Sequence, residues 1–363
     1  MTSTLLLGTR KGLVTLTREH RGWRQARVDF LGDPVTQVLR DPRDDALYAA
    51  LRLGHFGPKL RRSRDNGATW EEIPCPAFAA ADPSVEPDAK ASPSVDMIWA
   101  LETGGDAAGT LWAGTLPGAL FQSTDGGDSW QLNQPLWDLP ARAEWLGGGY
   151  DDPGIHSICV DPRDSRRLFV AISSGGVWLS EDGGEQWSAR TDGMRAAYMP
   201  PERAFDPNIQ DPHRLVACRA APDTLWVQHH NGIFRSDNGG LRWQELTEVA
   251  PSTFGFAVAV HPDDPATAWF VPAIKDERRV PVDGRLVVTR TRDGGKSFKT
   301  LSKGLPEKDC FDLIYRHGLA VDTAGQCLAM ASTTGNLWFS ADQGDSWELV
   351  SAHLPPVYCL RFD

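Results

Sequence analysis

The chain has 363 residues, 41% hydrophobic and 23% charged, enough for one large core or two smaller ones. Its formal net charge of −11 argues against nucleic acid and anionic membranes as partners. No run of about 18 apolar residues occurs, so no transmembrane helix is expected.

From Met1 to Gly12 there is no basic region followed by a long apolar stretch, so the expectation is a cytoplasmic protein without a signal peptide. Thr4–Thr9 and residues 13–17 and 23–28 read as three short strands. A fuller unit follows: strands at 35–39, 47–53, 60–63 and 70–73, with Asp41-Pro42-Arg43-Asp44 as the first turn. The same four-strand order restarts near Val95, at Ile155, and near Arg214, Phe254 and Gly318. Val357–Phe362 closes the chain as an inner-strand pattern with no unit to follow.

One stretch recurs through these units, Ser-x-Asp-x-Gly-x-x-Trp. It runs Ser63 to Trp70, Ser123 to Trp130 and Ser180 to Trp187. Looser copies run Ser236 to Trp243, with Asn238 at the Asp place, and Thr291 to Phe298; the sixth runs Ser340 to Trp347. Their first residues step by 60, 57, 56, 55 and 49 positions, a period that points to a solenoid or propeller. Each copy has turn chemistry: Ser and Asp side chains bond nearby backbone N–H groups, Gly takes positive φ, and Trp adds apolar surface to the next strand.

The motif resembles the Asp box, or BNR repeat, of sialidases, sortilin-type receptors, some endoglucanases and photosystem II assembly factors. The resemblance covers nearly the whole chain and implies a propeller, but no single function, because those proteins do unrelated things. The expected fold is an all-β, seven-bladed β-propeller. One domain spans 1–363, and the C-terminal strand completes the blade begun by the three N-terminal strands, which removes exposed edges. Sialidases hold their substrate's carboxylate with three arginines, the first in an Arg-Ile-Pro-like motif near the N-terminus. No such motif occurs early here; Arg279-Val280-Pro281 is similar in letters but falls in a blade-six loop, so a true sialidase is not expected.

Propeller topology sorts the loops. The motif hairpins lie on one face; loops between second and third strands, and between blades, open on the other, here called the top. The long segments 74–94, 133–154, 191–213, 272–284 and 302–317 belong there. The first, rich in Ala and Pro, is expected to be disordered, and the other four to wall a site. Gly147-Gly148-Gly149 is expected to let one wall bend toward the tunnel mouth. Six of the nine histidines also fall on the top: His55, His156, His213, His229, His230 and His317.

Histidines around a ring suggest one divalent transition metal ion, with His55, His156, His229, His230 and His317 as candidate ligands. The plainer alternative is a polar pocket lined by hydrogen-bonding histidines. His156, His317, Glu144, Tyr198 and Arg316 are the candidate catalytic residues, for acid–base work on a polar or sugar-like small molecule. The function expected is a hydrolase or lyase, metal-assisted if the histidines converge. The alternatives are a peptide- or protein-binding platform, or a glycan-binding or glycoside hydrolase-like protein, with Trp137 and Trp145 as sugar-stacking candidates. Arg278 and Arg279 are expected to be solvated. The six cysteines form no Cys-x-x-Cys pair and are expected as free thiols. The sequence sets no oligomeric state.

Overall fold

The computed structural model describes residues 4–20, 22–79 and 93–363. They form seven four-stranded antiparallel sheets. The first combines Val357–Phe362 with Thr4–Thr9, Gly12–Glu19 and Gly22–Asp29, in that order, and so closes the ring. Its closing register pairs Leu5 with Phe362 and Leu7 with Leu360, with a bulge at Gly8/Thr9. The other six sheets begin with inner strands Val35–Arg40, Met97–Thr103, Ile155–Val160, Pro212–Ala217, Gly255–Val260 and Leu319–Val321. The architecture is the expected seven-bladed propeller.

The recurrent hairpins explain why each blade turns where it does. In the second copy the Ser123 hydroxyl accepts the Gly127 N–H (2.8 Å) and donates to Asp125 Oδ1 (2.8 Å). Asp125 in turn accepts the Ser129 N–H at 2.9 Å. The pattern repeats in all six, with Asn238 standing in for the aspartate. Gly127 has φ 91°, and a Cβ there would lie 2.7 Å from Ile73 Cδ1 of the blade before it. Only glycine meets both demands. Because the carboxylate claims the N–H just before the Trp, the outer strands start one residue after it, at Glu71, Gln131, Ser188, Gln244, Lys299 and Glu348.

Two other expectations shift. The third strand of blade two begins at Pro58 rather than residue 60. The degenerate turn near residues 17–23 is a direct hairpin pairing Glu19 with Gly22, with Arg21 outside the described residues. The expectation of disorder in segment 74–94 falls largely on residues 80–92, which also lie outside them.

The core is a ring of seven clusters, one at each junction between neighbouring blades. Trp112, Trp226, Trp269 and Trp338 are fully buried in three of them. Burying a Leu or Phe in such a cluster stabilises by about 1.5–3 kcal/mol. This packing runs blade to blade, so it leaves the axis to inner-strand side chains and the long loops. Among the described residues, no helix is long and apolar enough to cross a membrane.

Candidate functional site

The long loops and the tops of the inner strands enclose a cavity of about 1020 Å³ at the tunnel mouth. Blade three contributes Trp99 and blade six Phe254 and Phe256. Blade five contributes Asp211, His213 and His230, and the loop before blade seven brings Tyr315 and Arg316. Gly147, Gly148 and Gly149 line it as well, in keeping with the wall expected to bend inward.

Arg316 is the most unusual of these groups. It is 8% exposed, and no ion pair or hydrogen bond to it occurs among the described residues; its Nε has no partner. Its guanidinium lies 4.9 Å from the Trp99 ring and 5.7 Å from Phe256, a cation held between aromatic faces. Burial pulls its pKa down, with the charge of Asp211 opposing. An arginine stays protonated all the same, so this charge cannot be discharged as a buried lysine's can.

Asp211 is the second centre. Its Oδ2 lies 3.3 Å from His230 Nδ1 and 3.6 Å from His213 Nε2, while its buried Oδ1 has no partner. Burial alone would raise the carboxyl; the contacts with His213 and His230 outweigh it and hold the pKa well below the usual carboxylate range. Burial also pushes His230 down, but the hydrogen bond and charge of Asp211 outweigh it and raise the imidazole. His213 Nδ1 donates to the Gly255 carbonyl at 2.7 Å, which turns Nε2 toward Asp211. Among the described residues, these three are the group of His, Cys, Asp or Glu whose ligand atoms all lie within 4.8 Å of one another.

The candidates named from sequence divide sharply. Arg316, Tyr198, His230 and His317 line the cavity. The Tyr198 hydroxyl is committed to the Ile209 carbonyl and burial pushes its pKa up, so it serves as a wall rather than an acid. His317 donates Nε2–H to the His156 carbonyl (2.8 Å), and its Nδ1 faces Gln37 Nε2 at 3.2 Å. Both its nitrogens are thus occupied by the fold, which leaves none for a metal. His156 is fully buried behind the wall, with Nδ1 on the Ser157 hydroxyl (3.0 Å) and Nε2 unpartnered. Burial, then the charges of Arg316 and Arg214, keep its pKa well below the usual histidine value.

His229 faces the backbone N–H of Asp211 (3.0 Å) and of Asn231 (3.1 Å), and burial drives its pKa to about 3. His55 sits exposed on the short turn Gly54–Phe56, beside Phe56 and outside the cavity lining. Glu144 is also on the exposed rim, accepting from Asn208 (3.2 Å) and pairing with Arg203 (3.4 Å). Of the five proposed metal ligands, therefore, only His230 belongs to the convergent group.

Two tryptophans suggested as sugar platforms are instead structural. Trp145 is buried between blades three and four, and Trp137 packs beside Phe78 under the Arg142 guanidinium. Arg279, expected to be solvated, lines the cavity, paired with Asp276 and bonded to the Tyr315 hydroxyl (3.2 Å). Asp312 is a pin, accepting from Ser332 (2.6 Å) and Asn336 (2.8 Å) of the blade-seven turn.

Asp211 escaped sequence reasoning because Asp-Pro there reads like the turns at Asp41-Pro42 and Asp161-Pro162. Those aspartates are locked by arginines two residues on, Arg43 and Arg163; Asp211 is followed by His213 instead. That exchange of partner is the signal available in the sequence.

No protein-family model matches the chain. Among curated proteins, it is 23% identical over 298 residues to an oligoxyloglucan-reducing end-specific xyloglucanase of Emericella nidulans, covering 73% of this chain and 34% of that protein. It is 25% identical over 227 residues to the xyloglucanase Xgh74A of Acetivibrio thermocellus, covering 57% and 24%. The chain thus spans about a third or less of the length of these relatives. Of solved structures, an ancestral GH74 enzyme superposes with a TM-score of 0.60 at 16% identity, over 96% of this chain and 40% of that one. YCF48 from Cyanidioschyzon merolae gives 0.55 at 14% identity, over 89% and 87%. At these identities the likeness to the solved structures is one of fold.

Proposed function

We propose that this propeller is a hydrolase- or lyase-type protein that takes a polar, sugar-like small molecule bearing an anionic group into its top-face cavity. Arg316 carries this reading: a buried cation with no ion pair among the described residues, lining a cavity, is costly unless a ligand supplies the charge. The aromatic surfaces of Trp99, Phe256 and Tyr198 would cover the ligand's apolar faces. Asp211 with His230 forms the reacting end, the carboxylate orienting the imidazole and raising its basicity for proton transfer. The xyloglucanases among the relatives lend support to a glycan-type substrate. The Asp-box resemblance describes the hairpins and adds nothing about the chemistry.

The test is a calorimetric and thermal-shift comparison of uronic and aldonic acids with the matching neutral sugars and with xyloglucan oligosaccharides, in the unaltered chain and in Arg316→Met. The anionic sugars should bind and the variant should weaken them by about 2–3 kcal/mol, roughly 30–150-fold. Equal binding of neutral and anionic ligands, unchanged in Arg316→Met, would overturn the assignment.

A second reading, a peptide-binding platform, draws on Phe56, Phe205 and Phe311, each at least 67% exposed in top-face loops. Under that reading no sugar binds, and truncating these three together abolishes capture of a basic peptide.

A further inference from the structure

The Asp211 cluster poses a problem that proton placement solves poorly. His213 spends Nδ1–H on the Gly255 carbonyl at 2.7 Å, so its contact with Asp211 requires a cation at Nε2. His230 meets the same carboxylate oxygen through Nδ1. Both contacts, at 3.6 and 3.3 Å, are longer than the 2.7–2.9 Å typical of a charge-assisted hydrogen bond. Two imidazoles thus converge on one oxygen without closing on it, while the other oxygen, buried, has no partner among the described residues.

We infer that Asp211, His213 and His230 bind one divalent first-row transition ion, with His213 Nε2, His230 Nδ1 and an Asp211 oxygen as ligands and the remaining positions open to the cavity. The spacing suits it. Ligands each about 2.1 Å from an ion and about 105° apart lie about 3.3 Å from one another. Here the two contacts with the carboxylate measure 3.3 and 3.6 Å, and all three ligand atoms fall within 4.8 Å. The Gly255 carbonyl on the far nitrogen of His213 is the outer contact that fixes a metal-binding histidine's tautomer and orientation. Two imidazoles and one carboxylate suit Zn(II), Fe(II), Co(II) or Ni(II), and three protein ligands with an open position belong to sites that do chemistry rather than hold a fold.

The neighbourhood supplies the remaining logic. The ion would leave the cavity more positive, with the Arg316 cation already there and without an ion pair among the described residues. An anionic group of the ligand, reaching both, would neutralise the pair. The ion displaces the proton at His230 Nδ1, so acid–base use of Asp211–His230 and metal use of the same atoms are alternatives.

The inference shares the cavity with the proposed function but is read out by metal content alone. Tag-free protein is analysed by plasma mass spectrometry as purified, and again after equilibration with Zn(II), Ni(II) or Co(II) and desalting. Co(II) loading is followed by visible absorption. Close to one ion per chain is expected. Asp211→Asn and the partly exposed His230→Gln should each lose it at least tenfold, while His55→Ala keeps it; circular dichroism verifies that each variant is folded. Absence of metal under every loading condition, or undiminished loading in both folded variants, overturns the inference. Metal-free protein that still binds sugar acids through Arg316 would do so while leaving the proposed function standing. Metal-loaded protein that binds none would uphold the metal and remove the function.

Discussion

The two faces of the propeller use the same residue types to opposite ends. On the hairpin face, Asp65 accepts bonds from the Thr69 hydroxyl and N–H and from the Ser63 hydroxyl, and these hold its pKa at about 2. Every donor comes from within four residues. A cavity of about 700 Å³ also opens near that face, but most of its charged lining is tied to the protein: Asp161 pairs with Arg163 at 2.7 Å, Arg219 with Asp263 at 2.8 Å, and Arg214 bonds the His156 carbonyl at 3.3 Å. On the top face, Asp211 and Arg316 are buried, face a cavity and retain atoms with no partner. Polar groups that satisfy one another locally build the fold; a buried carboxylate and a buried guanidinium that face one cavity with unpartnered atoms point to a ligand there.

The broadest way to challenge this contrast is pH. His156, His229 and His317 are held neutral by burial, with pKa values below the ordinary 6.5. An unfolded chain protonates these residues as pH falls through about 6.5, whereas the folded chain does not, so stability falls toward acid. Between about pH 7.5 and 5.5 each should cost about 1.4 kcal/mol, together about 4 kcal/mol, and His213, which burial also lowers, adds in the same direction. His230, raised by Asp211, works the other way: its stabilisation is full below about 6.5 and fades as pH rises through its folded value. Chemical denaturation at the two pH values measures the difference, and His229→Gln should reduce the acid loss by about 1.4 kcal/mol. A flat profile would mean that the buried histidines are not held neutral.

Ser123→Ala sharpens the comparison from the hairpin side. It strips the acceptor from the buried Gly127 N–H and should cost about 1–2 kcal/mol in denaturant melts. Ligand and metal binding should not change; a loss of either would mean that the hairpin face contributes to the site. The smallest effect is expected for His55→Ala, within about 0.5 kcal/mol of the unaltered chain, because its ring lies on an exposed turn. A large loss of metal in that variant would relocate the ion.

How much was legible in the sequence follows the same division. Six hairpins, the strands flanking them and the closure of the ring by Val357–Phe362 could be read because each depends on residues a few positions apart, or on a period that counts itself out along the chain. The top face, the long loops and Arg316 also followed from that topology. The roles of individual histidines did not. Nothing in the letters around His317 reveals that Gln37, 280 positions away, occupies one ring nitrogen and His156 the other. Nor does the sequence show that Trp99 and Phe256, from blades three and six, hold Arg316 between them.

The sequence by itself determined the propeller, because turn geometry and strand alternation are short-range and repeat. Only the tertiary structure decided which polar groups are spent and which are free. That depends on side chains from different blades meeting at the axis, and on the water excluded where they meet.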